Sequence, residues 1–248
     1  MAHDVSETVD ARRGFLIGCA AAAAAADGAA LMQAAEAATA GATPHAYPRA
    51  QLVGTDGRAL RAADVPVRRN LLFHYPYVGT PAFLLNLGRP TRRDVALSTS
   101  RRERYTWEGG VGPQRSIVAF SAICAHRMAY PTREISFISY RDETSPVSGR
   151  GQVIHCCSEH SQYDPADGAR VLAGPATQPL AAILLEHDPA SDALFAVGTL
   201  GGELFDAFFG SFAMKLSLEY GSRAREPAGA TTVVQPIETY CRQLMRCA

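Results

Sequence analysis

Two short segments that each combine a cysteine with a histidine constrain this chain more than any other feature of its sequence. The first reads C-A-H and supplies Cys124 and His126, and the second reads C-S-E-H and supplies Cys157 and His160. Each segment follows a run of residues typical of a β-strand, so each is expected to form a tight turn that presents one thiolate and one imidazole. The pattern predicts two loops that close over one metal centre, with these four side chains as its ligands.

Two kinds of centre suit two thiolates and two imidazoles. In a mixed-ligand [2Fe–2S] cluster, both thiolates bind one iron and both imidazoles bind the other. A zinc ion in a structural site also accepts a Cys₂His₂ set. Cys156 directly precedes Cys157, so a shift of one residue would make Cys156 the ligand, at a C-x-x-x-H spacing. The neighbouring His155 is interpreted as a structural histidine with satisfied hydrogen bonds.

The two boxes resemble those of the Rieske family, in which a third loop containing Gly-Pro covers the cluster. Gly174 and Pro175 stand in the matching place of this sequence. The resemblance implies a Rieske-type antiparallel β domain that holds one [2Fe–2S] cluster per chain on two loops. The spacing of the family favours Cys157 over Cys156 as the ligand.

Hydroxyl groups after the second box are a further part of the resemblance. Ser161 and Tyr163 are similar to residues that donate hydrogen bonds to cluster sulfurs, which stabilise the reduced cluster and raise its potential. The alternative is that Ser161 caps a turn and Tyr163 packs in the core.

Many Rieske proteins also carry an extra cysteine in each box, and these two cysteines form a disulfide. Ala129 and Glu159 stand at those positions here, so that disulfide is not expected.

Several segments are more narrowly similar to the small subunit of arsenite oxidase. That resemblance implies an electron-transfer subunit that takes electrons from a molybdopterin-bearing large subunit and passes them to a c-type cytochrome or a cupredoxin, with substrate chemistry on the partner. Two alternatives remain: a quinol-oxidising Rieske subunit of a cytochrome bc-type complex, and a zinc-stabilised domain without redox function. The similar segments are 109–113, 117–121, 131–132 and 191–198.

The N-terminus has the features of an export signal. Arg12 and Arg13 precede an apolar stretch, which is the twin-arginine pattern of proteins that fold and load a cofactor before they cross the membrane. The apolar run Gly14–Ala26 has 13 residues, whereas a spanning helix needs about 20, so a membrane anchor is not expected. Residues 1–40 are predicted to be a Tat signal for the periplasm, with lipidation at Cys19 as a weaker alternative.

The remaining sequence predicts a mainly β chain. Residues 41–69 are expected to form an extended arm, residues 70–202 the metal-binding domain, and residues 203–248 a partly helical extension in which Cys241 and Cys247 could pair. The 24 basic and 24 acidic residues balance, so no nucleic-acid partner is expected. The segments predicted as strands are 71–75, 83–87, 117–120, 135–140, 153–154, 182–185 and 194–197.

Overall fold

The computed structural model describes residues 41–144 and 149–247, so the predicted export signal lies outside the described part. Within that part the chain is mainly β, which confirms the predicted fold class. The strands are β1 (His45–Val53), β2 (Leu71–His74), β3 (Pro81–Asn86), β4 (Val95–Ser98), β5 (Arg104–Trp107), β6 (Ile117–Ser121), β7 (Ile135–Ser136), β8 (Ile138–Arg141), β9 (Val153–Cys156), β10 (Ser161–Asp164), β11 (Arg170–Ala173), β12 (Ala182–Asp188), β13 (Ala193–Leu200), β14 (Thr231–Val233), β15 (Gln235–Pro236) and β16 (Gln243–Leu244). The α-helices are α1 (Phe205–Ser211), α2 (Ala213–Tyr220) and α3 (Ile237–Tyr240), and the short 3-10 helices are Ala62–Asp64, Pro165–Asp167 and Gly221–Arg225.

An eight-stranded sheet forms the body of the protein, in the order β14-β1-β13-β12-β6-β3-β2-β15. Its neighbours are antiparallel except for β1 and β14. Side chains of successive strand residues point to opposite faces, and in β3 both faces are apolar: Phe83 and Leu85 enter one core, whereas Ala82 and Leu84 enter another. Both faces of the sheet are therefore covered at this strand.

Part of the segment 41–69, which was predicted as an extended arm, forms an integral strand of this sheet. β1 pairs with β13, with Ala50 opposite Ala196, and the side chains of Ala50 and Leu52 are fully buried. Its exposed positions are His45, Ala46, Pro48 and Arg49. These residues give no run typical of a strand, so the strand was not recognised from the sequence. The ordered domain therefore begins before residue 70.

A second sheet carries the second cysteine segment. Its order is β11-β10-β9-β8, and all its neighbours are antiparallel. Cys156 is the last residue of β9 and lies opposite Ser161, the first residue of β10. The turn between these two strands is therefore the loop that holds residues 157–160.

Residues 203–248 contain the predicted helices, but they also complete the domain. Phe205 and Phe208 of α1 are buried against Ile123 and Tyr130, which flank the first cysteine segment. β14 and β15 join the edges of the large sheet, and β16 pairs with β7. No helix in the described ranges has the length and apolar character needed to cross a membrane. The C-terminal segment is thus part of the fold and braces the first loop.

Candidate metal centre

The first loop, which follows β6, places Cys124 in a closed turn. The backbone N–H of Cys124 donates to the carbonyl of Ala129 at 2.9 Å, and the N–H of Met128 donates to the carbonyl of Cys124 at 2.9 Å. The cysteine is buried, and the N–H groups of His126 and Arg127 donate to its sulfur. Hydrogen bonds of this kind stabilise a thiolate.

The second loop repeats this arrangement around Cys156. The N–H groups of Ser158 and Glu159 donate to the sulfur of Cys156, which is also buried. In both loops the donors are the residues two and three positions after the cysteine. Cys156 therefore occupies in the second loop the position that Cys124 occupies in the first.

The two buried thiols contact each other. Cys156 donates a hydrogen bond to Cys124, which is the main reason why the pKa of the Cys124 thiol is lowered and that of Cys156 is raised, with burial raising the latter further. The hydroxyl of Tyr163 lies 3.3 Å from the sulfur of Cys124 and accepts a hydrogen bond from the N–H of Ala125 at 3.1 Å. The sulfurs of Cys124 and Cys156 are therefore close enough for both to bind one metal ion that prefers sulfur ligands.

Cys157, the predicted ligand, lies elsewhere. It forms a disulfide with Cys247, at a Cα–Cα distance of 5.0 Å. A sulfur in a disulfide is no longer a thiolate and cannot bind a metal as one. Adjacent residues at a strand end also point to opposite sides, so Cys157 is directed away from the side on which Cys156 meets Cys124. In the structure Cys156, not Cys157, meets Cys124. Cys247 pairs with Cys157, so the pairing of Cys241 with Cys247 that the sequence left open does not occur, and Cys241 is free and buried.

His160 is also separated from the thiol pair. Its ring lies 5.6 Å from the ring of His155, centroid to centroid, and both imidazoles come close to the sulfur of Cys247. His155 precedes Cys156 in β9, so its side chain is on the opposite face of the strand. His160 shares that face, and the structure does not bring the four predicted ligands together.

His155 was expected to be a structural histidine whose ring nitrogens are hydrogen-bonded, and the structure differs from this expectation. It is fully buried, and among the described residues neither of its ring nitrogens has a hydrogen-bond partner. Burial lowers its pKa to about 4, with the charges of His160 and Arg141 acting in the same direction. The imidazole is therefore neutral at physiological pH.

His126 faces a carboxylate of the second loop. Its Nδ1 is 3.2 Å from Oε2 of Glu159, and the other carboxylate oxygen, Oε1, is 2.6 Å from Nε of Arg127. The side chain of His126 is 24% exposed and that of Glu159 is 38% exposed. The two loops therefore meet twice, at a pair of thiols and at an imidazole beside a carboxylate.

The two predicted hydroxyl donors both face this region. Tyr163 contacts the sulfur of Cys124, as described above, and is fully buried. Ser161 is 1% exposed, and within the described part of the chain its hydroxyl has no hydrogen-bond partner. A buried hydroxyl without a partner costs free energy unless a bound group supplies one. Ser161 therefore does not cap the turn, and its unused hydroxyl suits a site that receives a cofactor.

The predicted covering loop packs closely against the backbone of the second loop at Gly174. A Cβ at this position would lie 2.5 Å from both the carbonyl oxygen of His160 and the Cα of Ser161, and the backbone there has φ of +84°. Pro175 follows it and is exposed. The third loop thus fixes the backbone where β10 begins.

Replacing Gly174 with alanine is expected to lower the melting temperature by about 5 °C, because contact and backbone strain together cost about 2 kcal/mol. Thermal unfolding followed by circular dichroism measures the shift. Gly57→Ala is the matched control, since Gly57 has φ of +77° but nothing within 4 Å of an added Cβ. Equal shifts of the melting temperature in the two variants would show that the contact between Gly174 and the second loop contributes nothing to stability.

Sequence reasoning misplaced or missed three groups: Cys156 as the buried thiol, which it gave only as the alternative to Cys157, Glu159 beside His126, and Cys247 as the disulfide partner. The double cysteine was a usable signal for the first, because it leaves two registers for the second box. No local pattern pointed to Cys247, which is separated from Cys157 by 90 residues.

No protein-family model matches the chain. Among solved structures, the chain is similar to the soluble domain of Rieske protein II from Sulfolobus acidocaldarius, with 25% sequence identity and a TM-score of 0.45. The match covers 63% of this chain and 82% of that one.

Proposed function

We propose that this chain is a Rieske-type electron-transfer protein that holds one [2Fe–2S] cluster between its two cysteine loops. The observation that carries the proposal is the contact between the buried thiols of Cys124 and Cys156, each surrounded by N–H donors from its own loop. Backbone donors that converge on two neighbouring sulfurs stabilise negative charge there, as a thiolate-bound iron requires.

The residues present fit such a cluster. Cys124 and Cys156 would bind one iron, and His126 would bind the other. Tyr163 and Ser161 offer hydroxyl groups, one already on a ligand sulfur and one buried without a partner among the described residues. When bound, the cluster would supply a one-electron redox couple, while the hydrogen-bond donors around the two sulfurs stabilise its negative charge.

A single zinc ion is a poorer match to the geometry. Four zinc ligands must converge on one point, about 2.0–2.3 Å from the ion. Among the described residues, no three of Cys124, His126, Cys156 and Glu159 have donor atoms that all lie within 4.8 Å of one another. The donors instead form two separate pairs, which suits a centre with two metal ions.

The proposed setting is the periplasm. The twin-arginine motif supports export of a protein with a preloaded cofactor, and the disulfide between Cys157 and Cys247 supports an oxidising compartment. The similarity of segments 109–113 and 191–198 to the small subunit of arsenite oxidase supports a molybdopterin-bearing large subunit as the electron donor. His126 reaches solvent, so a c-type cytochrome or a cupredoxin could approach the centre closely.

Iron and acid-labile sulfide analysis, with an EPR spectrum of the dithionite-reduced protein, tests the proposal. We expect two irons and two sulfides per chain and a rhombic signal whose average g value is below that of all-cysteine [2Fe–2S] centres. One zinc per chain with no sulfide would overturn it. Co-purification with a molybdopterin subunit from the source cells tests the proposed partner separately.

Replacing Tyr163 with phenylalanine is expected to lower the reduction potential by about 60 mV. Its hydroxyl hydrogen bond to the Cys124 sulfur stabilises the more negative, reduced state by about 1.5 kcal/mol, and this energy corresponds to that shift for one electron. Redox titration followed by EPR measures it. Tyr75→Phe is the control, because the buried Tyr75 hydroxyl has no partner among the described residues and lies in the other core. An unchanged potential in Tyr163→Phe would contradict the assigned role.

A further inference from the structure

The second loop lacks an imidazole at the place where the first loop presents His126. The thiol of this loop comes from Cys156, as the N–H donors of Ser158 and Glu159 show. Counted from Cys156, the C-x-x-H spacing read from the sequence becomes C-x-x-E, and its last position is Glu159. If Cys156 supplies the thiol, the carboxylate of Glu159 is therefore at the position of the fourth metal ligand.

The distance between the facing side chains suits two ligands of one metal ion. Oε2 of Glu159 is 3.2 Å from Nδ1 of His126. Two donors bound at about 2.1 Å to one tetrahedral ion lie about 3.4 Å apart. Iron also accepts a carboxylate beside imidazole, as in sites with two histidines and one carboxylate.

The second oxygen of the same carboxylate already forms an ion pair. Oε1 of Glu159 is 2.6 Å from Nε of Arg127, a residue of the first loop. This ion pair orients the carboxylate with Oε2 toward His126 and offsets the charge that a carboxylate adds. Outer contacts of this kind position metal ligands in many sites.

His160 has no comparable position. Its ring lies beside that of His155 and near the disulfide sulfur of Cys247, on the face of β9 opposite to Cys156. The backbone of His160 has φ of +60° and is held against Gly174. Moving its side chain to His126 would require the loop to be rebuilt.

From these contacts we infer that the cluster is bound by two thiolates, one imidazole and one carboxylate, with Glu159 as the fourth ligand in place of His160. The inference rests on the proposed function, because it concerns the ligands of the proposed cluster. A carboxylate is one negative charge more than a neutral imidazole, so this centre has a lower reduction potential than one with two imidazoles.

Pulsed EPR of the reduced holoprotein, prepared with ¹⁵N-labelled histidine, counts the imidazoles bound to iron. We expect one coupled histidine nitrogen in the wild type and in His160→Ala. Glu159→Ala is expected to lower the iron content by at least about tenfold, while the far-UV circular dichroism spectrum stays that of a folded protein. Glu159→His is expected to restore iron, to show a second coupled nitrogen and to raise the potential.

The outcomes separate this inference from the proposed function. A wild-type spectrum with two coupled nitrogens, one of which disappears in His160→Ala, would overturn the role of Glu159 and leave the proposed function in place. Full iron content and an unchanged spectrum in Glu159→Ala would mean that Glu159 forms only an ion pair with Arg127 and His126, which also overturns the inference. A wild type that binds no iron and no sulfide would overturn both.

Discussion

Replacing Cys156 with serine is expected to remove nearly all iron and acid-labile sulfide from the purified protein. The buried thiol that meets Cys124 belongs to Cys156, and a serine hydroxyl is a much weaker ligand for iron in this cluster than a thiolate. We expect a loss of at least about tenfold in iron per chain, which is the size of effect seen even for residues that only support a ligand. Metal analysis and the visible absorption spectrum measure it.

The double variant Cys157→Ser/Cys247→Ser is the matched control. It changes a cysteine at the neighbouring position but leaves the thiol pair of Cys124 and Cys156 intact. Iron content near that of the wild type is expected, even though the protein is less stable. If the double variant loses its iron and Cys156→Ser keeps it, Cys157 is the ligand, and the disulfide is not the resting state of the loaded protein.

The free energy of unfolding of the same double variant is expected to be lower by about 4.5 kcal/mol. The disulfide joins residues 90 positions apart, and in the chain-entropy account a cross-link over such a distance restricts the unfolded chain by about that free energy. Urea unfolding of the variant and the wild type measures the difference. The dependence on urea is also expected to steepen, because an unfolded chain without the cross-link is more expanded.

Reduction of the wild type supplies an independent check. Wild-type protein treated with a reductant should unfold at the same urea concentration as the double variant. Cys241→Ser should not respond to reduction any differently from the wild type, because Cys241 is a free thiol. Equal stability of oxidised and reduced wild type would contradict a stabilising role of the disulfide.

Strands formed by continuous apolar runs could be predicted from the sequence, whereas β1 and strands that bury only alternate residues, such as β4 and β5, could not. Apolar runs such as Leu71–His74 and Ile117–Ser121 were recognised because they are rich in residues that favour strands. β1 was missed because only a few of its residues, among them Ala50 and Leu52, are fully buried. What defines this strand is its pairing with β13, which is far away in the sequence.

The first half of the site was predictable, and the second half was not. Cys124 and Tyr163 lie together as the motif suggested. In the second box two registers were available, and choosing between them required the strand alternation at the end of β9, which places Cys156 inward and Cys157 toward the tail. That choice depends on where β9 ends and on a distant cysteine, Cys247, and neither is encoded in the motif itself.

The adjacent cysteines of the second loop impose an order on the maturation of the proposed exported protein. Cys156 has to stay reduced to bind the proposed centre, whereas Cys157 has to be oxidised to hold the C-terminal tail. In an oxidising compartment an empty chain would offer Cys247 two neighbouring thiols, and capture of the wrong one would destroy the site. Loading the centre first occupies Cys156 and leaves Cys157 as the available partner. The proposed centre thereby protects the sulfur of Cys156 from oxidation, so that Cys247 forms its disulfide with Cys157.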